Sequence, residues 1–323
     1  FFFDLHVMRF VLLVGALVHC ASAAFTNPKC QRMWDAKLAQ YIALRDAHRQ
    51  VVCVNGKGLV YPEKFTKDFH NYNEDEIVDY SKSARKGKGA IKGPQTLPYW
   101  QRATYDAWWP EWMCEDTQRI PIRLLGDGAK WMCGLDVLER IESPLVYSLG
   151  CNGDVMWEMD VRKRMPRAEM HVFGPITHKG WGTKVKQVID PVNISLHEIW
   201  VHSKPAMDES NFPVQSLPKI MQQLQHETRV IDLLKVDLER TEWALFTDIL
   251  ANCRVRFRHL NVLLHGVDCK EHERFFALLD QCQYMITYKE TNHWGCFGFL
   301  CVEYTIVSLA HAQAEFAMSH GCE

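Results

Sequence analysis

The stretch that decides the fold is Pro144–Leu149, PLVYSL, which runs directly into the loop Gly150-Cys151-Asn152-Gly153-Asp154. A short, nearly continuous apolar run predicts a strand that is buried on both faces of a sheet. Glycine has no Cβ, so the two glycines after the strand let the backbone approach a ligand closely. The stretch therefore predicts the first strand of an α/β sheet, with a ligand loop at its carboxyl end.

Working outward, six further apolar runs predict strands at Ala168–Phe173, Leu196–Val201, Val230–Val236, Leu260–Leu264, Tyr284–Tyr288 and Phe299–Val307. Helical spacing between them predicts helices at Trp157–Arg164, Leu217–Gln225, Glu242–Asn252 and Lys270–Gln281. This alternation predicts a Rossmann-like α/β domain with a seven-stranded, mostly parallel sheet and helices on both faces. No helical pattern separates the last two strands, so we expect a hairpin and an antiparallel edge there.

The N-terminal part has a different character. A helix is predicted over Lys29–Val52, and residues 53–100 are rich in Gly, Lys, Asn and Pro, which indicates an irregular insertion or linker. Aromatic-dense Tyr99–Trp112 predicts an amphipathic helix packed on the domain, with an aromatic substrate lid as the alternative. We divide the chain into an irregular helical extension at 25–120, the main domain at 121–310 and a C-terminal tail at 311–323.

The first 24 residues are typical of a secretory leader. Arg9 gives a positive start after Met8, Phe10–Val18 is apolar, and Ala21-Ser22-Ala23 offers small residues for cleavage. The apolar run is short of the roughly 20 residues that a membrane span needs. We expect a cleaved signal peptide or a signal anchor, a protein of the secretory pathway, and a true start at Met8, downstream of residues 1–7.

Composition narrows the class of partner. The net charge of −2 gives no reason to expect nucleic acid as a partner, and membrane contact is expected only through an uncleaved leader. Of the twelve cysteines, Cys20 would leave with the leader. In an oxidising lumen several of the other eleven would pair, and their odd number leaves at least one free or intermolecular. The sequence lacks the two C-x-x-C motifs that would predict a structural zinc site, and we expect no bound metal.

Three ionisable side chains follow predicted strands. Asp237 and Glu239 come directly after Val230–Val236, at the sheet edge that carries the Gly150 loop. Two acids at that edge can bind hydroxyls, an ammonium group or a metal, or act as a general base; alternatively, they open the next helix from a solvated turn. His265 follows the Leu260–Leu264 strand and is a candidate base or metal ligand, or a packed histidine.

Several ordered motifs resemble one family: Gly126–Cys133, Leu145–Asp154 with Glu158, Ile231–Glu239 with Glu242-Trp243, Leu263–His265 and Val302–Tyr304. Together they span roughly Leu125 to Val307. They resemble the methyltransferase-domain family that includes the methyltransferase-like proteins of the secretory pathway, which are related to the FkbM-type methyltransferases. Several motifs in the correct order are much more specific than any one of them alone.

The resemblance implies a class I methyltransferase that binds S-adenosylmethionine and methylates an O or N atom of a small molecule, glycan or protein. It implies cofactor contacts from Ser148, Gly150, Asn152, Gly153, Asp154 and Glu158. From their places at the strand ends, we take Asp237, Glu239 and His265 as the candidate catalytic residues. The expected partner is therefore a small-molecule or glycan acceptor.

Three positions depart from the family pattern. Gly174 stands where an acid should hold the ribose hydroxyls, Arg240 replaces a glycine, and Leu264 replaces a glutamate. Loss of one charge-assisted hydrogen bond removes roughly 1.5–3 kcal/mol of binding. Two alternatives to the enzyme are therefore a binding or structural protein that has lost activity, and a nucleotide- or sugar-binding domain with another cofactor.

Overall fold

The protein is described by a computed structural model over residues 24–48, 52–53, 59–60, 105, 108–122, 128–151, 153–175, 182–203, 206–207, 212–266, 268–292 and 301–322. Its strands are β1 (Val52–Cys53), β2 (Leu59–Val60), β3 (Thr117–Ile120), β4 (Lys130–Cys133), β5 (Leu145–Leu149), β6 (Glu169–Phe173), β7 (Ser195–His197), β8 (Trp200–Val201), β9 (Ala206–Met207), β10 (Pro213–Gln215), β11 (Ile231–Val236), β12 (Phe257–His265), β13 (Tyr284–Thr291) and β14 (Cys301–Ser308). Its helices are α1 (Pro28–His48), α2 (Leu135–Glu139), α3 (Met156–Arg164), α4 (Gly182–Ile189), α5 (Leu217–Gln223), α6 (Glu242–Ile249), α7 (Cys269–Gln281) and α8 (Leu309–His320).

The main sheet confirms the expected fold. Seven strands lie in the order β13-β14-β12-β11-β5-β6-β7. The five strands from β12 to β7 run parallel, whereas β14 is antiparallel to both β12 and β13. The last two strands therefore give the antiparallel edge that the missing helical pattern predicted. Every residue of β5 and β11 is buried, as expected for central strands covered on both faces.

The strand predicted at Leu196–Val201 is wrong in extent. The chain leaves the main sheet after His197, and Trp200 begins β8, which pairs with β10 in a separate three-stranded sheet. The amide of Ile199 donates to the carbonyl of His197, 2.8 Å away. A hydrogen bond between residues two apart is a tight turn, which ends the ladder.

The aromatic segment also differs from its prediction. Residues 108–112 are not helical, and the amides of Glu111 and Trp112 both donate to the carbonyl of Ile286. Pro110 lacks an amide proton, and the residue before a proline disfavours helical angles. The segment nevertheless packs on the domain, because the Trp108 ring stacks on Phe276 with centroids 4.7 Å apart.

The two ends of the described chain meet on one side of the sheet. Helix α1 carries Trp34, whose ring contacts Trp112 and Phe316. Residues 311–323, set apart as a tail, belong largely to α8, and a disulfide joins Cys30 to Cys322. The N-terminal extension and the C-terminal helix therefore form one layer over the domain.

Further disulfides join Cys114 to Cys133 and Cys253 to Cys282. Within the described residues Cys151 is the free cysteine, in line with the odd count. Disulfides of this kind are compatible with a secreted or lumenal protein. Among the described helices, none combines the length and apolarity that crossing a membrane requires. Residues 1–23 of the expected leader lie outside the described residues.

Candidate functional site

The candidate site lies where the strand order reverses. Strands β5 and β11 are neighbours and parallel, so the loops that follow them open a crevice at their carboxyl ends. Gly150 has φ +86°, and a Cβ built on it would lie 1.7 Å from the carbonyl oxygen of Asp237. The amide of Asp237 in turn donates to the carbonyl of Leu149 at 2.8 Å. Only glycine fits where the two loops cross.

The rest of the glycine loop turns into α3. Gly153 has φ +85°, which favours glycine. Asp154 accepts a 2.9 Å hydrogen bond from the amide of Met156, the first residue of the helix. Gly128 comes close from the other side, because a Cβ at that position would lie 3.5 Å from Asp154 Oδ2. Asn152, also predicted to contact the cofactor, lies outside the described residues.

Ser148 and Glu158 are buried beneath this loop. The Ser148 hydroxyl donates to Glu158 Oε1 at 2.6 Å, and Lys235 Nζ donates to the same oxygen at 2.8 Å. Burial would lower the pKa of Lys235, but the charge and hydrogen bond of Glu158, together with the charges of Cys151 and Asp237, raise it. Glu158 and Lys235 therefore form a buried ion pair under the crevice, and Ser148 is hydrogen-bonded to it. Direct contact of these two with a cofactor stays a prediction.

The three predicted catalytic residues come together at the ends of β11 and β12. His265 Nε2 lies 4.0 Å from Asp237 Oδ1 and 3.9 Å from Glu239 Oε2. On its other side, His265 Nδ1 lies 2.9 Å from Glu242 Oε1, and this carboxylate is fully buried. Glu242 Oε1 also accepts from the amide of Leu238 at 2.7 Å. One imidazole therefore faces three carboxylates.

The electrostatics of this group follow from burial and charge. Burial alone would lower the pKa of His265, but the hydrogen bond and charge of Glu242, with smaller effects of Asp237 and Glu239, raise it. Burial raises the pKa of Asp237, against the charges of Lys130, Lys235 and His265. Asp237 Oδ1 is buried and has no hydrogen-bond partner among the described residues. The crevice thus holds an acceptor oxygen that a ligand can satisfy.

The structure locates each departure from the family pattern. Arg240 has φ +89°, a conformation that suits the glycine it replaces and strains any other residue. Leu264 is fully buried in the apolar core, so no acid enters the site from its position. Gly174 follows β6, and its amide donates to the carbonyl of His197 at 3.1 Å.

Residue patterns alone missed Glu242 and Lys235 as parts of the site. Lys235 is a lysine inside a buried strand, which signals a buried partner because an unpaired charge there is costly. Glu242 is an acid in the first turn of α6, where many solvated acids also occur. Only the fold brings it against His265, 23 residues away along the chain.

Comparison with known proteins places the chain in a family. A family profile described as "Methyltransferase domain" matches residues 62–308. Because the match covers most of the chain, the chain belongs to this methyltransferase-domain family, as the ordered motifs indicated. The chain is, by its family, a methyltransferase-type protein of Rossmann-like fold. No curated protein matches its sequence.

Solved structures give distant similarities. The fibrillarin pre-rRNA processing protein of Methanococcus jannaschii is 8% identical, with 60% of this chain and 83% of that chain covered and a TM-score of 0.36. Methyltransferase FkbM from Methylobacillus flagellatus KT is 11% identical with a TM-score of 0.35. The alignment covers 50% of this chain and only 44% of that one. A precorrin-6y C5,15-methyltransferase from Geobacter metallireducens GS-15 is 12% identical, with 54% and 84% covered and a TM-score of 0.33. These similarities add nothing to the fold that the strand order already shows.

Proposed function

We propose that this chain is an S-adenosylmethionine-dependent methyltransferase that methylates a hydroxyl or amine on a small molecule, glycan or protein. Family membership supports methyl transfer, and the glycine loop at the strand-order reversal supports a cofactor site there. The observation that carries the proposal is the unpartnered, buried Oδ1 of Asp237 beside His265. It leaves an acceptor for a ligand next to a candidate base.

The residues at the crevice fit such a cofactor. Gly150 and Gly153 carry no side chains that would block close approach of a ligand to the loop backbone, and Asp154 and Asp237 offer carboxylates to hydroxyl or ammonium groups. S-adenosylmethionine, when bound, supplies a methyl group that is already activated on a sulfonium. The protein therefore has to bind, align and, for a hydroxyl acceptor, remove a proton.

His265 is suited to remove that proton. The contact with Glu242 holds the tautomer with hydrogen on Nδ1, since a carboxylate can only accept. The lone pair of Nε2 then faces the side of Asp237 and Glu239. After it accepts a proton at Nε2, the imidazolium is stabilised by the three carboxylates. We assign His265 the role of base, with Glu242 as its positioning residue.

A second candidate function is binding without catalysis. Gly174 offers no carboxylate for ribose hydroxyls, and Leu264 offers none from β12. Arg240 adds a cation where the family pattern has glycine. A protein that kept the family fold but takes another nucleotide or sugar, or none, would share these departures.

Calorimetric titration of the purified chain with S-adenosylmethionine and S-adenosylhomocysteine separates these functions. We expect saturable binding that Asp154→Ala and Asp237→Ala weaken. Asp248→Asn, on the far part of α6, is the matched control and should leave binding unchanged. If neither ligand gives a heat of binding at concentrations up to about millimolar, the proposal is overturned. Binding of NAD⁺ or a nucleotide sugar in their place favours the alternative cofactor.

We also infer that the protein works in the secretory pathway. The disulfides Cys30–Cys322, Cys114–Cys133 and Cys253–Cys282 support an oxidising compartment, as does the leader pattern of the sequence. Expression in cultured cells tests this inference. We expect the chain in the lumen or medium with oxidised cysteines, and a reduced cytosolic pool would contradict it.

A further inference from the structure

A second ionisable cluster lies at the amino end of β6, away from the crevice. Glu169 begins β6 and His171 follows two residues later on the same face, while His226 comes from the turn before β11. His171 Nε2 lies 3.2 Å from Glu169 Oε1, and His226 Nε2 lies 2.9 Å from the same oxygen. Both imidazoles are buried, whereas the Glu169 side chain is 40% exposed.

These separations match those between ligands of a tetrahedral metal ion. Zinc takes histidine nitrogen and carboxylate oxygen at about 2.0–2.1 Å, so neighbouring ligand atoms lie about 3.3 Å apart. All three ligand atoms of the cluster lie within 4.8 Å of one another. The two nitrogen–carboxylate separations, 3.2 and 2.9 Å, are within a few tenths of an ångström of that value.

Each of the three side chains also has a partner behind it. His171 Nδ1 lies 2.9 Å from His197 Nε2, and His226 Nδ1 lies 2.7 Å from the Tyr147 hydroxyl. Glu169 Oε2 forms an ion pair with Arg229. Metal-binding histidines almost always use their second nitrogen in this way, and the outer contact fixes ring orientation. A cluster of unrelated surface charges would not have such outer partners.

The outer partners also allow the histidines to release their inner nitrogens. Without an ion, each Nε2 carries hydrogen and donates to Glu169, while Nδ1 accepts. A tyrosine hydroxyl and a neutral imidazole can each donate or accept. Each histidine can therefore move its hydrogen to Nδ1, donate it outward and leave the Nε2 lone pair for a metal. The neutral imidazole is the form that binds metals.

We propose that Glu169, His171 and His226 form a Zn²⁺ site. Two imidazoles and one carboxylate suit zinc, whereas Ca²⁺ and Mg²⁺ prefer oxygen ligands throughout. Glu169 pairs with Leu145, at the far end of β5 from the glycine loop. At about 3.3 Å per residue, the site lies roughly 13 Å along the strand from that loop. Its role is to fasten the segment before β11 to β6, and it is independent of methyl transfer.

The test titrates the metal-free full chain with Zn²⁺ alone, in competition with a coloured chelator, and repeats it with Co²⁺, whose absorption reports coordination. We expect one high-affinity ion and a cobalt spectrum of low coordination number. Glu169→Gln and His226→Gln should weaken binding by more than the roughly 10–100-fold that loss of an outer partner costs. His320→Gln, at the end of α8, is the control and should bind as the parent does.

Zinc should also raise the unfolding temperature of the parent and of His265→Gln, but not of Glu169→Gln. His265 belongs to the other group, with Asp237 and Glu242, whose ligand atoms lie equally close. Loss of zinc binding in His265→Gln would place the ion there and overturn the proposal. Binding that Glu169→Gln and His226→Gln both leave intact, or no saturable binding by the parent, would overturn it too. Because Glu169 is partly exposed, its glutamine variant is expected to fold.

Discussion

His265 Nδ1 lies 2.9 Å from Glu242 Oε1, and the same oxygen accepts from the amide of Leu238. One buried oxygen therefore orients the imidazole at the end of β12 and holds the turn that follows β11. This contact links the candidate base to the loop that carries Asp237 and Glu239. It makes Glu242 the residue through which the ionisation of His265 is most directly tested.

Glu242→Gln should lower the pKa of His265. The glutamine oxygen can still accept both hydrogen bonds, but the negative charge that opposes the effect of burial is gone. In the parent the folded pKa is raised, so His265 stabilises the fold below its unfolded pKa of about 6.5, and this contribution is lost as pH rises through the folded pKa. Proton NMR titration of the His265 ring measures the pKa directly.

In the parent, the raised pKa of His265 adds to the free energy of unfolding at about pH 5.5 relative to about pH 8.5. Glu242→Gln should show a smaller difference between these two pH values, measured by urea unfolding. Glu239→Gln is the control, because Glu239 is exposed and its effect on the His265 pKa is the smallest of the three carboxylates. An unchanged His265 pKa in Glu242→Gln would show that the contact with Glu242 does not set it.

Gly150→Ala should destabilise the fold by about 3 kcal/mol or more, since the new methyl would sit on the carbonyl oxygen of Asp237 and force the loops apart. Gly321→Ala is the matched control. Gly321 also has positive φ, but nothing lies within 4 Å of its Cβ position, so only the backbone strain of about 1 kcal/mol applies. Equal losses in urea unfolding would contradict the close crossing of the two loops.

Arg240→Gly should raise stability by about 1 kcal/mol because it removes a side chain from a backbone with φ +89°. Glu239→Gly is a useful comparison. Its φ of +53° lies in the left-handed helical region that other residues tolerate better, so it should gain less. Thermal unfolding of both variants measures the difference, and a less stable Arg240→Gly would show that the arginine makes compensating contacts.

Replacing Cys30 and Cys322 by serine should cost more stability than replacing Cys114 and Cys133. The first pair is 292 residues apart and the second 19. Loop-closure entropy gives roughly 3 kcal/mol for the short loop and about 6 kcal/mol for the long one. Hydrogen exchange should show α1 losing protection in the first variant only. If the short loop costs more, strain or packing outweighs chain entropy.

The fold could be predicted largely from local pattern, because the main strands are apolar runs and glycine follows the first of them. The strand predicted at Leu196–Val201 is too long, because apolar periodicity does not reveal the turn at Ile199. The helix predicted at Tyr99–Trp112 is absent from residues 108–112, because Pro110 interrupts an otherwise suitable aromatic spacing.

The candidate site was only half predictable. Asp237 follows β11 and His265 ends β12, and parallel strands bring their ends to one edge, so their proximity could be expected. Glu242, Lys235 and the Glu169 cluster could not, because their partners come from elements far away in sequence. Pairing between distant side chains depends on register and packing, which a one-dimensional pattern does not contain.

The Cys30–Cys322 bond has a consequence for topology. The bond joins residues 292 apart in sequence, so the main chain between them is closed into a covalent ring. The backbone before Cys30 and the backbone after Cys322 therefore start close together, with these two Cα atoms 5.7 Å apart. An unfoldase that pulled on either end would have to translocate a closed loop and not a single extended chain, until a reductant cleaved the disulfide.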